Sequence, residues 1–267
     1  MGTVDNILPL EALLNTTPLT IDVVIEDEWC GAFPVKAVET DATVLYLEQA
    51  GFFRFSARHR PAEVLIYRNT FLAWLGSLVG TCTSRVYFQV SEQSVVLLFL
   101  HASGLEASFA DAVRLAGHIG EHDAYGFVPG IGIASGRVTV GFTAMRECHR
   151  ASVFGQAFML AAGCAAMRPD AAAAACISFP ASEWNGRSLD ELFPAHGEQG
   201  DGGGYQKKPR TWELGTPRRV DFPGMGMVEI LDLGSFIHWA PEHSAERKAG
   251  EWFQELERKG LYRKPSR

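Results

Sequence analysis

The sequence predicts an α+β fold in which helices cover a largely antiparallel sheet. Three observations predict it. Apolar runs of strand character alternate with helical periodicity in the order strand, helix, hairpin, helix, strand hairpin, helix, strand, strand, helix. Short polar or glycine-rich turns separate paired apolar runs, which joins antiparallel neighbours rather than parallel ones. The 267 residues are 47% hydrophobic and 21% charged, an ordinary globular composition sufficient for one large domain.

The elements follow from local patterns. Residues 1–39 read as an N-terminal arm of weak periodicity, with one strand-like stretch, LTIDVVIEDEW. A strong strand follows from Ala42 to Phe53, with Gly51 near its end. Pro61 suits the first turn of a helix whose Val64, Phe71, Leu75 and Leu78 recur near helical spacing. Arg85 to His101 reads as two apolar strands joined by a polar turn at Ser91 to Ser94. In the next helix, Phe109 to His122, Ala112, Leu115, Ala116 and Ile119 share one face. Phe127 to Phe142 is glycine-punctuated strand. The small-residue helix VFGQAFMLAAGCAAM implies that something packs closely against it. Cys176 to Phe179 and Val228 to Leu233 are the last strands, and residues 196–210 have the composition of a flexible loop. In the tail, 234–267, Ala249, Trp252, Phe253 and Leu256 make an amphipathic helix that covers its own domain or docks a protein partner.

Composition narrows the function classes. Twenty-four Lys and Arg against 31 Asp and Glu leave a net charge of −7, so a nucleic-acid footprint is not expected. No apolar run reaches the roughly 18 residues of a membrane span. The N-terminus lacks the basic flank and long apolar core of a secretory signal, so a cytoplasmic location is expected. The five cysteines form no CxxC pair and read as reduced, mostly buried thiols. His118 and His122 sit four apart, yet no third metal ligand accompanies them. GIGIASG lacks the Lys and the Ser or Thr of a phosphate loop and continues into strand, so its glycines are assigned to close packing.

Six segments in order resemble the catalytic domain of the class III nucleotidyl cyclases. They are VLYLEQAGFF, PAEVLIYRNTFLAWLGSLVG, QVSEQSVVLLFL, ADAVRLAGHIGEH with GIGIASGRVTVG, SVFGQAFMLAAGCA and RRVDFPGMGMVEILDL. The resemblance implies a ferredoxin-like, palm-type sandwich over residues 40–233. It also implies a homodimer with sites at the subunit interface. Members of the family convert a nucleoside triphosphate to a cyclic monophosphate. Two carboxylates hold two divalent ions, a polar pair reads the base, and an Asn and an Arg bind ribose and the transition state.

At the positions this resemblance assigns, the residue types have changed. The first metal Asp falls on Glu48 and the second on Gln93, a neutral amide. The base-reading pair falls on Gln89 and Ser152. The Asn falls on Met159 and the transition-state Arg on Gly163. Arg146 and Arg150 precede the small-residue helix and either reach a phosphate or belong to a solvated loop. The expected function is therefore that of a catalytically degenerate domain acting as a dimeric scaffold, ligand sensor or signalling module, able to take a nucleotide or another small ligand through Gln89, Gln93 and Ser152. No cofactor is expected. The alternative is a divergent cyclase using Mg²⁺ or Mn²⁺ on a site rebuilt from Glu48 and Glu92, with Arg150 replacing the missing Arg.

Overall fold

The structure, a computed structural model, describes residues 6–49, 52–121, 129–145, 148–167, 175–193, 212–235 and 245–263. The first half runs β1 (Ile7–Pro9), α1 (Leu10–Thr16), β2 (Ile21–Asp27), β3 (Gly31–Glu48), α2 (Phe52–Arg58), α3 (Pro61–Val79), β4 (Val86–Val90), β5 (Ser94–Leu100) and α4 (Leu105–Glu121). The second half runs β6 (Gly130–Met145), β7 (Cys148–Phe154), α5 (Gln156–Ala166), β8 (Ala175–Pro180), α6 (Leu189–Leu192), β9 (Trp212–Leu214), β10 (Arg218–Phe222), β11 (Gly226–Ser235) and α7 (Ala245–Arg258). One sheet takes the order β1-β4-β5-β3-β6-β8-β11-β10, with β2 beside β3, β7 beside β6 and β9 beside β11. Only β1–β4 and β6–β8 are parallel, so the sheet is mainly antiparallel as the hairpin signals predict.

Strand alternation divides the core between two faces. Leu45, Leu47, Val95, Leu97, Ile131 and Ile133 point to the face covered by α2, α3, α4 and α7, where Phe55, Tyr67, Phe71 and Phe253 pack. Val44, Val96, Leu98, Ala134, Val138 and Val140 point to the other, where they meet Leu10, Leu13 and Leu14 of α1 and Ala157 and Ala161 of α5. The α5 helix lies directly on strand β6. A Cβ at Gly132 would stand 2.5 Å from the Ala165 nitrogen and closer still to the Ala161 carbonyl oxygen, and one at Gly130 would strike the Ala165 carbonyl. Backbone-to-backbone contact is what the glycines of GIGIASG supply.

Several boundaries move. The strand expected from Ala42 begins at Gly31, because β3 also carries the β2 hairpin. It ends at Glu48, and Phe52 and Phe55 belong to a helix that buries both rings. A short apolar run has no periodicity long enough to separate these outcomes. Val153 and Phe154 are strand rather than helix. The C-terminal helix spends its apolar face on its own domain. Ala249 and Phe253 are buried, Phe253 lies near Tyr67, and the Tyr262 hydroxyl donates to Glu63 Oε1 at 3.0 Å. That face is therefore not free for the protein partner offered as its alternative occupant. Of the thiols described, Cys164 is buried, Cys82 and Cys176 are half-buried and Cys30 is exposed. His122, Arg146 and the loop expected at 196–210 lie outside the described residues. No helix among them is long and apolar enough to cross a membrane.

Candidate functional site

Glu48 ends β3 half-buried, in register with Ser94 on one side and Gly130 on the other. The next residue, Gln49, donates its backbone N–H to the Gln93 carbonyl at 2.8 Å. The two positions assigned to the metal carboxylates thus do stand side by side at one end of the sheet. Gln89 joins them on β4, opposite Val96.

Beneath the same turn lies a cation. Arg68, on α3, is 8% exposed. Its guanidinium donates to Gln49 Oε1, to the Ser91 carbonyl at 2.9 Å and to the Ser94 carbonyl at 3.2 Å. It also sits 5.6 Å from the ring centres of Phe52 and Phe71. Burial pulls its pKa down to about 10, against the opposing charge of Glu92. Arg68 stays ionised at neutral pH and holds the hairpin turn. The assigned metal positions carry one carboxylate, Glu48, and one neutral amide, Gln93, with a fixed cation behind them, and the exposed Glu92 is the other carboxylate of the turn. Bonding of a pair of divalent ions calls for several anionic oxygens. Among the described residues no group of three or more His, Cys, Asp or Glu converges on a metal position.

A contact that crosses the sheet runs beside the base-reading positions. Arg150, on β7, donates to the Val90 carbonyl at the end of β4, the residue after Gln89. Ser152 is half-buried opposite Gly141, its hydroxyl 3.2 Å from that of Thr143. Helix α1 packs against both β4 and β7. Glu11 Oε1 accepts the Ala151 N–H at 3.1 Å, between Arg150 and Ser152. The chain's own N-terminal segment thus packs beside the positions that the resemblance assigns to a base. Its helical signal was available in Leu10, Leu13 and Leu14, spaced i, i+3 and i+4 after Pro9.

On α5, Met159 is exposed and offers a thioether where the resembled pattern has an amide. Gly163, one turn on, faces the β10–β11 hairpin. A Cβ there would lie 2.8 Å from Phe222 Cδ1 and nearer still to Cε1. Phe222 is buried with Cys164 and Ile230. The space that a side chain at 163 would enter is filled by an aromatic ring. The hairpin tip, Pro223-Gly224-Met225, carries no cation. The charge nearby, Arg218, is committed to Asp232 by bonds of 2.7 and 3.2 Å, and Ser178 donates to the same carboxylate at 2.6 Å. Burial raises the pKa values of Cys164 and Cys176 in this region to about 12, so both are thiols at neutral pH.

Sequence reasoning missed a polar chain on the helix-covered side. Thr43 is fully buried and bonds His101 Nε2 at 3.2 Å and the Ser135 hydroxyl at 2.8 Å. Glu183 Oε1 accepts the Ser135 N–H at 2.7 Å, while its Oε2 is buried without a partner. Burial raises the Glu183 pKa and lowers that of His101. A shallow groove of about 660 Å³ lies near this chain, lined by Trp184, Asn185, Met227 and Leu231. None of the site residues expected from the sequence lines it.

No family model matches the chain, and no curated protein sequence matches it. Solved structures do. The adenylyl cyclase CyaB from P. aeruginosa superposes with a TM-score of 0.54 at 14% identity, covering 77% of this chain and 97% of that one. The guanylyl cyclase Cya2 gives 0.54 at 16% identity over the same shares. The guanylate cyclase domain of RhGC from Catenaria anguillulae, solved in complex with GTP, gives 0.51 at 14% identity, covering 75% of this chain and all of that one. The fold is that of the class III nucleotidyl cyclase domains.

Proposed function

We propose that this class III cyclase fold serves a catalytically degenerate domain, a scaffold or ligand-sensing module rather than a cyclase. The observation that carries the reading is Gly163 beneath Phe222. The cation of the resembled pattern is missing, and the room for one is filled by a ring buried in a local core. Supporting it are the neutral amide of Gln93 at one of the two assigned metal positions and the Arg68 guanidinium fixed behind the turn. Loss of one group that stabilises transition-state charge typically costs a factor of about a hundred to a thousand. Here several are replaced together. Gln89 and Ser152 retain hydrogen-bonding groups suited to a nucleobase or another flat polar ligand.

Purified protein incubated with each nucleoside triphosphate and Mn²⁺ should form no cyclic nucleotide above a buffer control. Any cyclic product that disappears on Glu48→Ala would overturn this reading in favour of the divergent cyclase. A nucleotide that raises the melting temperature of the parent, and not that of Gln89→Ala, would assign the ligand-sensing role to the Gln89 position on β4.

A further inference from the structure

The turn that carries Gln93 is connected through packed side chains to the C-terminal helix. Along α7, Ala249, Trp252, Phe253 and Leu256 fall at i, i+3, i+4 and i+7, and all four pack into the core that α3 covers. The polar face is knit by ion pairs within the segment, Arg247 to Glu251 and both Arg258 and Lys259 to Glu255. The helix ends in a Schellman motif. Gly260, at φ 69°, donates its N–H to the Glu257 carbonyl at 3.0 Å, and Leu261 donates to the Leu256 carbonyl at 2.9 Å. This reversal brings Tyr262 back onto Phe253, with 5.3 Å between ring centres, and sets its hydroxyl on Glu63 Oε1 at 3.0 Å. Glu63 is the third residue of α3, and its other carboxylate oxygen accepts the Arg60 N–H at 3.1 Å. Tyr262 is thus fastened to the capping box that starts α3. One turn on, Tyr67 meets Trp252 at 5.8 Å and Phe253 at 6.3 Å, and stacks on Phe55 of α2 at 5.0 Å. The residue after Tyr67 is Arg68. Its guanidinium lies against Phe52 and Phe71 and holds Gln49 Oε1 and the Ser91 and Ser94 carbonyls. Gln49 in turn donates its N–H to the Gln93 carbonyl.

We infer that α7 is a regulatory strap: α7, the first two turns of α3 and the 91–94 turn open and close as one cooperative unit, so that docking of α7 sets the turn. The physical reason lies in the buried charge of Arg68. A guanidinium stays in a core only where acceptors and ring faces surround it in one geometry, and here Gln49, Ser91, Ser94, Phe52 and Phe71 supply that geometry. Release of α7 takes Trp252 and Phe253 off Tyr67 and the Tyr262 hydroxyl off the α3 capping carboxylate. Water then reaches the helix turn that carries Arg68, the guanidinium exchanges its carbonyl partners for water, and the 91–94 turn loses the donor that holds it. Elements joined by such contacts open together, at a lower free energy than the central strands. The coupling acts in both directions. Whatever orders the turn tightens α7, and whatever draws α7 away loosens the turn.

Native-state hydrogen exchange of the full chain, read residue by residue in low denaturant, tests this. The amides of Phe253 and Leu256 on α7, and those of Gln49 and Ser91 at the turn, should share one opening free energy and one denaturant slope, both below those of the β3–β6 ladder. Tyr262→Phe removes only the bond to Glu63. It should accelerate all four amides by a common factor of about ten, the typical worth of a hydrogen bond to a charged group. The Met225 amide, bonded to the Phe222 carbonyl in the turn between β10 and β11, should not change. Trp252→Ala should give the same pattern with a larger factor. Separate opening free energies for α7 and the turn, or faster exchange on α7 with Gln49 and Ser91 unchanged, would overturn the inference. So would an equal rise at Met225, which marks general loosening. These outcomes do not touch the catalytic reading, which the cyclic-nucleotide assay tests separately.

Discussion

Replacing Gly163 by alanine tests whether the Phe222 ring closes the place of the missing cation. In an open helix interior, Gly→Ala stabilises by about 1 kcal/mol, because glycine loses more backbone freedom on folding. Here the new methyl would lie 2.8 Å from Phe222 Cδ1 and closer to Cε1, so the ring or the helix has to move. Phe222 is 5% exposed and packs with Cys164 and Ile230, which leaves it little free space. Overpacking of this kind costs about 1–3 kcal/mol. The net expectation is a loss of about 1 kcal/mol, or a fall in melting temperature of about 2–4 °C for a domain of this size. In a Phe222→Ala background the methyl meets open space, and the same substitution should stabilise by about 1 kcal/mol. The cycle therefore carries a coupling of about 2 kcal/mol, readable by urea denaturation of the four proteins. Gly163→Ala that stabilises the parent protein, or a coupling near zero, would refute the reasoning and reopen position 163 to a longer side chain.

Three further outcomes follow from the same packing. Gly132→Ala should cost about 3 kcal/mol or more, since its methyl meets the α5 backbone rather than a movable ring; loss of soluble folded protein or a melting point lowered by roughly 10 °C is the readout. Arg68→Met should cost about 2–4 kcal/mol in denaturant melts, because it strands the Ser91 and Ser94 carbonyls and Gln49 Oε1, and Arg68→Lys should recover only part. Burial raises the Glu183 pKa in the folded protein, so the folded state holds that proton more tightly than the unfolded chain; its contribution is full below the ordinary carboxylate range and is lost as pH rises through the raised value. Glu183→Gln should remove that dependence, so its stability relative to the parent should climb in thermal melts as pH rises above the ordinary carboxylate range, and parallel curves would contradict it.

Much of the fold was readable along the chain. The i, i+3, i+4, i+7 spacing of Ala112, Leu115, Ala116 and Ile119 marks the buried side of α4, and all four are buried. The turn at Ser91 to Ser94 separates β4 from β5 where expected. The same local patterns were blind where one residue type serves two structures. Phe52 and Phe53 read as strand and are helix. β9 and β10 are too short to show a period, and α1 is an amphipathic helix of only seven residues, about two turns.

By itself the sequence determined which residue types stand at each position: a carboxylate at 48, an amide at 93, a thioether at 159 and no side chain at 163. It also determined that GIGIASG is built for close approach, because only glycine lacks the atom that would collide. The tertiary structure decided what fills the spaces those changes leave. Phe222 arrives over Gly163 from a strand 59 positions later. Arg68 comes from α3 to hold the 91–94 turn, and Arg150 crosses to Val90. Leu10, Leu13 and Leu14 arrive from the N-terminus to cover the sheet. Each is a contact between segments distant in the chain. Such contacts are set by strand register and helix docking, and these follow from burial over the whole domain rather than from any local period.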